Sequence, residues 1–283
     1  MKLVVFGRTG QLAQALARRA PDALFLDRQA ADLADPEACA AALRRAAAEG
    51  AQAAINAAAY MAVDRAEAEE PLATRINGEA PGAMAQAAAQ AGIPFLQVSS
   101  DYVFDGRGEA PHAPDEPVAP LSAYGRSKAA GEAGVRDAGG AHAILRTSWV
   151  FSADGGNFVK TMLRLGAERD ALRVVDDQIG GPTEAGDIAA ALLVIAGALK
   201  AGAPSGTWHF AGAPDVSWAG FAHEIMTRAG LDCAIERIPS SEYPTPAARP
   251  LNSRLDCSRT EAVFGIARPD WRDGLTRVLE ALT

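Results

Sequence analysis

The sequence predicts an α/β protein built on a doubly wound parallel sheet, with a smaller C-terminal lobe. Three observations carry that expectation. Short apolar runs alternate with Ala-rich segments of helical period through the first half of the chain. The first run feeds straight into a glycine-containing turn that opens a helix. After about residue 150 the alternation loosens into turn-rich stretches between helices.

The runs Leu3–Phe6, Ala23–Asp27, Ala53–Asn56 and Phe95–Ser100 read as buried parallel strands. Between them, Gly10–Arg19 places Leu12 and Leu16 four apart on one helix face. Pro36–Glu49 has Asp35 as its cap and Pro36 at the first helical position. Leu72–Ala91 is a long Ala-rich helix closed by Gly92 and Pro94. Gly106–Pro120 is a loop ahead of a helix containing Tyr124. His142–Phe151, Arg173–Asp177 and Thr207–Phe210 read as further strands. Helices follow at Glu184–Lys200, Trp218–Ala229 and Trp271–Leu282, separated by turns at Asp177–Thr183 and Ser240–Asn252. This divides the chain into a nucleotide-binding part, residues 1–150, and a substrate lobe, residues 151–283. Segments between about 170 and 214 are expected to return to the sheet.

With 283 residues, 49% hydrophobic and 22% charged, the chain can bury a large core. A net charge of −8 gives no basic field for nucleic acid or an anionic membrane. Cys39, Cys233 and Cys257 are odd in number and lack metal-ligand spacing, which suits reduced thiols. The apolar run at Met1–Gly7 is too short for a signal peptide, and Ala189–Leu199 is too short to span a bilayer. A soluble cytoplasmic protein is expected.

The turn after the first strand reads Gly7-Arg8-Thr9-Gly10-Gln11-Leu12-Ala13. Gly7 can make the tight turn, Gly10 can let a diphosphate approach, and Ala13 can pack helix on strand. Free N–H groups at the helix start suit a phosphate. Gly7, Gly10, Gln11 and Leu12 are therefore candidate cofactor contacts of a Rossmann-type fold. Asp27 ends the second strand, where a carboxylate can bond an adenosine ribose hydroxyl, and Arg28 could instead pair with a 2′-phosphate. The choice between NADH and NADPH stays open. Asp32 and Leu33 suit either of two places equally, over the adenine edge or in a solvated loop. After the third strand, Ala58, Ala59 and Tyr60 follow Asn56-Ala57, and their small neighbours would let a dinucleotide lie flat across the strand ends.

Only four lysines occur among 27 basic residues, and Lys128 stands four positions after Tyr124. Residues i and i+4 share a helix face. An ammonium there is expected to draw the phenol pKa down toward neutrality, so that it can pass a proton to a carbonyl oxygen.

Taken together, these stretches resemble the extended short-chain dehydrogenase/reductase family, and within it the reductases of dTDP-linked 4-keto-6-deoxy sugars. The resemblance extends over nearly the whole chain. It is carried by Gly7-Arg8-Thr9-Gly10-Gln11-Leu12, Asn56-Ala57-Ala58-Ala59-Tyr60 and Ser99-Ser100-Asp101-Tyr102-Val103-Phe104. It continues in Tyr124-Gly125-Arg126-Ser127-Lys128, Arg146-Thr147-Ser148-Trp149-Val150 and Arg249-Pro250-Leu251-Asn252-Ser253. It implies NAD(P)H-dependent reduction of dTDP-4-dehydro-L-rhamnose at C4 to dTDP-L-rhamnose, the last step in making that sugar nucleotide for surface polysaccharide. Tyr124 would then protonate the C4 oxygen, Lys128 would tune the tyrosine and hold the nicotinamide ribose, and Ser100 would bond the same oxygen. Val98 would join the cofactor contacts. Ser100, Asp101 and Trp149 would face the sugar, with Arg249 and Asn252 at its diphosphate.

The resemblance also implies a homodimer in some members, bridged by magnesium on C-terminal glutamates. Gly186 and Ala281 fall where two of those acids would be, leaving Asp187 and Glu280, so no metal is expected. A 4,6-dehydratase of the same family would need an Asp-Glu pair after the active-site hydroxyl. Here Asp101 and Tyr102 follow Ser100. The other readings are a related 4-keto-6-deoxysugar reductase and a non-catalytic nucleotide-binding subunit of the same fold.

Overall fold

The computed structural model describes residues Met1–Leu282. Six parallel strands form the main sheet in the order Gly206–His209, His142–Thr147, Phe95–Ser100, Ala53–Asn56, Leu3–Phe6, Leu24–Leu26. The order runs outward in both directions from the third and first strands, which is the doubly wound arrangement. It places a crevice at the strands' carboxyl ends. Ser99 pairs in register with Arg146, and Ser100 with Thr147.

Two apolar layers cover the sheet. On one face Leu12 and Leu16 meet Ile188, Leu192 and Ile195 of the helix Ala185–Lys200. On the other, Leu43, Met84 and Val135 come from the helices Pro36–Ala48, Ala80–Ala91 and Ala123–Asp137. A third core, with Phe151, Phe221, Ile225, Trp271 and Leu275, belongs to the smaller lobe. Among the described residues no helix is long and apolar enough to cross a membrane.

Four of the differences from the sequence reading bear on the site or on the small lobe. The run His142–Phe151 is two strands, His142–Thr147 and Val150–Phe151, because Trp149 has a φ of +49° and breaks the ladder. The strand Ala171–Val175 stays in the small lobe, paired with Ala234–Ile238. Its burial alternates toward one face, as expected of a strand that is not sandwiched between helices. A helix at Phe158–Glu168 is additional, capped by the Asn157 side chain accepting from the Lys160 N–H at 3.2 Å. The turn residues before it obscure an ordinary amphipathic pattern. Finally, the long helix starts at Glu70 and passes through a π-helical turn at Arg75–Glu79.

That turn positions the site. It presents Asn77, whose amide accepts from the Tyr60 N–H (2.8 Å) and donates to the Tyr60 carbonyl and Ser127 hydroxyl (3.0 Å each). Single π turns of this kind recur at functional sites. The helix Ala123–Asp137 lies close against its neighbours: a Cβ on Gly125 would enter the Tyr102 carbonyl oxygen, so only glycine fits beside Tyr124.

Glu132, on the same helix, is fully buried. Its carboxylate accepts two hydrogen bonds from Arg146 (2.8 and 2.7 Å), one from the Ser99 hydroxyl (2.7 Å) and one from Arg136 (2.7 Å). Arg146 also donates to the Pro114 carbonyl at 3.1 Å and lies over the Phe104 ring. Arg146→Met should destabilise the fold by about 3–5 kcal/mol in urea unfolding, because it strands a buried carboxylate. The double variant Glu132→Leu/Arg146→Met should recover much of that loss. A double-variant loss equal to the sum of the Glu132→Leu and Arg146→Met losses would show that the two side chains act independently.

Candidate active site

A cleft of about 690 Å³ runs along the carboxyl ends of the strands, from the first glycine turn to Trp149 and Trp218. At one end Gly7 has a φ of +111°, and its N–H donates to the Leu26 carbonyl at 2.8 Å. A Cβ there would come within 3.4 Å of Ala57 and Ala58, so the turn is held close to the sheet. The helix Gln11–Arg19 starts at Gly10 with no side-chain cap. Its first N–H groups, beside Gly10, Gln11 and Leu12 in the cleft wall, suit a diphosphate. That donor set fits a dinucleotide. The Gln11 side-chain oxygen accepts from Ser152 (3.0 Å) and Asn157 (2.9 Å), tying this helix start to the small lobe.

Asp27, Arg28, Asp32 and Leu33 line the cleft as well. One oxygen of Asp27 accepts from the N–H groups of Gln29 and Ala30 at 3.0 Å each, which fixes the carboxylate. Arg28 reaches across to Asp32 at 3.0 Å and is 81% exposed. Ala58 and Ala59 line the middle of the cleft, but Tyr60 does not. Its hydroxyl instead donates to Glu69 at 2.8 Å, and Asn77 holds its backbone.

At the catalytic end Ser100, Asp101, Tyr124, Lys128 and Trp149 come together, with Val98 beneath them. Ser100 closes its strand and accepts from the Tyr102 N–H at 3.2 Å, while its hydroxyl donates to Asp101 at 2.8 Å. Ser122 caps the helix that carries Tyr124 and Lys128. Lys128 donates to the Val98 carbonyl at 2.7 Å. Burial lowers its pKa to about 8, against the pull of Glu132. Tyr124 packs edge-on against the Tyr102 ring, 5.5 Å between centroids.

The expected drop in the Tyr124 pKa is not what these surroundings give. Burial and the adjacent Asp101 push the phenol up, with Ser100 opposing them. The tyrosine is thus held in its protonated form, which suits a proton donor. Asp101 is itself raised to about 6 by burial, opposed by Ser253, Ser100 and His112, and one of its carboxylate oxygens has no hydrogen-bond partner.

Two other candidates lie off the cleft wall. Arg249 makes a two-armed ion pair with Asp64 (2.9 and 2.8 Å), a contact 185 residues apart that spacing cannot reveal. Asn252 is 1% exposed and donates to the Ala110 carbonyl at 2.8 Å, fastening the loop after the fourth sheet strand. Asp187 and Glu184 are engaged by Arg277, with Asp187 taking bonds of 2.8 and 2.7 Å, so they do not fit a metal site. Among the described residues no group of three or more His, Cys, Asp or Glu could hold a metal ion.

The cleft also contains residues the sequence reading missed. Arg8 lines the cleft with no ion-pair partner among the described residues, and Gly155, Gly156 and Trp218 come from the small lobe. Arg8 sits inside the glycine turn, so its position was legible. The others are brought in by the lobe's folding.

The whole chain, residues 1–283, matches the RmlD substrate binding domain family. A dTDP-4-dehydrorhamnose reductase of Sinorhizobium fredii is 42% identical, covering 100% of this chain and 98% of its own. That of Escherichia coli K12 is 37% identical, with coverage of 100% and 98%. Among solved structures, a dTDP-4-dehydrorhamnose reductase of Clostridium acetobutylicum has a TM-score of 0.92 at 34% identity, covering 100% of this chain and 99% of that one. The enzyme of Bacillus anthracis in complex with NADP gives 0.92 at 31%, with coverage of 99% and 100%.

The burial of Asp101 sets a test. Its folded pKa of about 6 lies above the ordinary value of 3.8. Between the two, the folded state holds a proton that the unfolded state has lost, so stability falls as pH rises through that window. Asp101→Asn should therefore stabilise the protein at pH 7 by on the order of 3 kcal/mol in urea unfolding. The gain should vanish below about pH 4. A gain of the same size at every pH would remove titration as its cause.

Proposed function

The chain belongs to the RmlD substrate binding domain family, and from that premise we infer that it is an NAD(P)H-dependent oxidoreductase that reduces dTDP-4-dehydro-L-rhamnose at C4 to dTDP-L-rhamnose. The observation that carries this reading is the convergence of Ser100, Tyr124, Lys128 and Trp149 at one end of a cleft whose other end is the glycine turn. The bound nicotinamide supplies the hydride the reduction needs.

The protein's own residues bind, orient and protonate. The free N–H groups after Gly10 take the diphosphate, and Asp27 and Arg28 flank the adenosine ribose. The flat run Ala57–Ala59 lets the dinucleotide lie across the strand ends toward Lys128. Tyr124 gives its proton to the C4 oxygen as the carbonyl becomes an alcohol. Its raised pKa keeps that proton in place until the oxygen gains charge. Lys128, buried and tied to Val98, places a compact ammonium at the same end of the cleft as Tyr124, where it would meet the ribose hydroxyls. The single Ser100 proton, donated to Asp101 in the free site, turns to the C4 oxygen when substrate binds and orients the carbonyl. The small lobe, from about residue 151, supplies the sugar side through Trp149 and its neighbours. A cytoplasmic setting suits three buried, unpaired cysteines and a nucleotide-sugar substrate.

Purified protein mixed with dTDP-4-dehydro-L-rhamnose should oxidise NADPH, read as loss of nicotinamide absorbance. Tyr124→Phe should lower kcat by roughly 10²–10⁴-fold with little change in cofactor Kd. Lys128→Met should do more damage and weaken cofactor binding too. A Tyr124→Phe enzyme keeping over about a tenth of wild-type turnover would place the proton donor elsewhere.

Asp27 beside Arg28 and Arg8 points to use of both cofactors, with a preference below about tenfold. Asp27→Ala should weaken NADH more than NADPH, since it removes a ribose acceptor and an anion facing the 2′-phosphate. Equal losses in titrations with the two cofactors would take Asp27 away from the ribose.

A further inference from the structure

Trp218 lines the same end of the cleft as Ser100 and Tyr124 but has no part in the proton transfer. It opens the helix Trp218–Ala229, whose start is fixed by Ser217, which accepts from the Gly220 N–H at 2.9 Å and donates to Asp176 at 2.5 Å. Its indole stacks on that of Trp149, with centroids 3.6 Å apart and planes 11° from parallel. That is contact distance, so nothing can enter between the rings and the pair acts as one wall. Behind it, Trp218 rests on Phe158 (4.5 Å), which leads through Phe221 to Trp271 in the lobe's core. Neither stacked indole N–H donates to a protein group among the described residues.

Trp149 needs such support. It is the one described residue other than glycine with a positive φ, a conformation that a bulky residue keeps only where its surroundings impose it. Its carbonyl accepts from the Thr183 N–H at 3.2 Å, and the preceding Ser148 hydroxyl donates to the Gly181 carbonyl at 2.8 Å. A Cβ on Gly180 would come within 2.9 Å of the indole. These contacts fix the backbone and one edge of the ring, and Trp218 supplies the contact on a face.

We propose that Trp218 is a positioning residue that, by stacking on Trp149, holds the indole wall against which the deoxysugar lies, and so sets affinity for the sugar nucleotide. The C–H face and C6 methyl of a 6-deoxy sugar suit an aromatic wall, and the unbonded indole N–H groups can meet its hydroxyls. This rests on the reductase reading above.

The test uses Trp218→Leu, Trp218→Phe, Trp149→Phe and Gly180→Ala in the whole chain. Trp218→Leu should raise the KM for dTDP-4-dehydro-L-rhamnose by about tenfold or more while leaving NADPH Kd within about twofold. Trp218→Phe should regain most of the affinity. Near-ultraviolet circular dichroism should show an indole–indole couplet in the wild type that both Trp218→Leu and Trp149→Phe abolish. Gly180→Ala would set a methyl within 2.9 Å of both the Trp149 ring and the Ser253 Cβ, so it too should raise KM and reduce the couplet. If Trp218→Leu fails to fold, Trp218→Met takes its place, with the same rise in KM expected. A lost couplet with an unchanged KM, or a parallel loss of NADPH affinity, would overturn the role of Trp218. A wild-type protein that neither binds nor reduces the sugar nucleotide would overturn the reductase reading and this role together.

Discussion

The buried carboxylate of Glu132 is the constraint on which the catalytic end depends. It joins the helix of Tyr124 and Lys128 to the strand of Ser99 and Ser100 and, through Arg146, to the next strand and the Pro114 loop. A charge taken out of water demands several well-aligned donors, and four hydrogen bonds meet that demand here. Because Ser99 and Arg146 come from two different strands, satisfying the charge also fixes how the helix and those strands sit. Burial in the same region keeps His209, beside Arg146, neutral, with its pKa lowered to about 3.

The same burial sets the chemistry above it. Lys128, Asp101 and Tyr124 are each pushed toward their neutral forms by loss of water. For Tyr124 that form suits the proton-donor role proposed for it, since a reductase needs the phenol to arrive with its proton. For Asp101 it is a cost, because a carboxylate with one unpartnered oxygen is held where it can steer Ser100. The site thus trades folding stability for groups placed before substrate arrives.

The two lobes meet across the cleft through specific ties. Gln11, at the start of the cofactor helix, holds Ser152 and Asn157 of the small lobe, and Arg18 reaches Asp154 at 2.7 Å. Toward the substrate end, Asp64 holds Arg249 and the Ala247 N–H. Polar links at both ends make the separation between the nucleotide floor and the Trp149–Trp218 wall a property of the fold.

The sequence by itself determined what depends on local pattern. The strands Leu3–Phe6, Ala53–Asn56 and Phe95–Ser100 were legible from apolar runs, the cofactor turn from Gly7 and Gly10 between strand and helix, and the Tyr124–Lys128 pair from helical period. Tertiary structure alone decided what depends on contacts between distant segments. Spacing could not show that Asp64 would claim Arg249, that Asn252 would tie a loop, or that Tyr60 would turn toward Glu69. Nor could it show the direction of the Tyr124 shift. Lys128 lies one helical turn along the chain, but the strongest influences in space are lost water and Asp101. Sequence order reports neighbours along the chain, whereas pKa and side-chain partners follow burial and through-space distance.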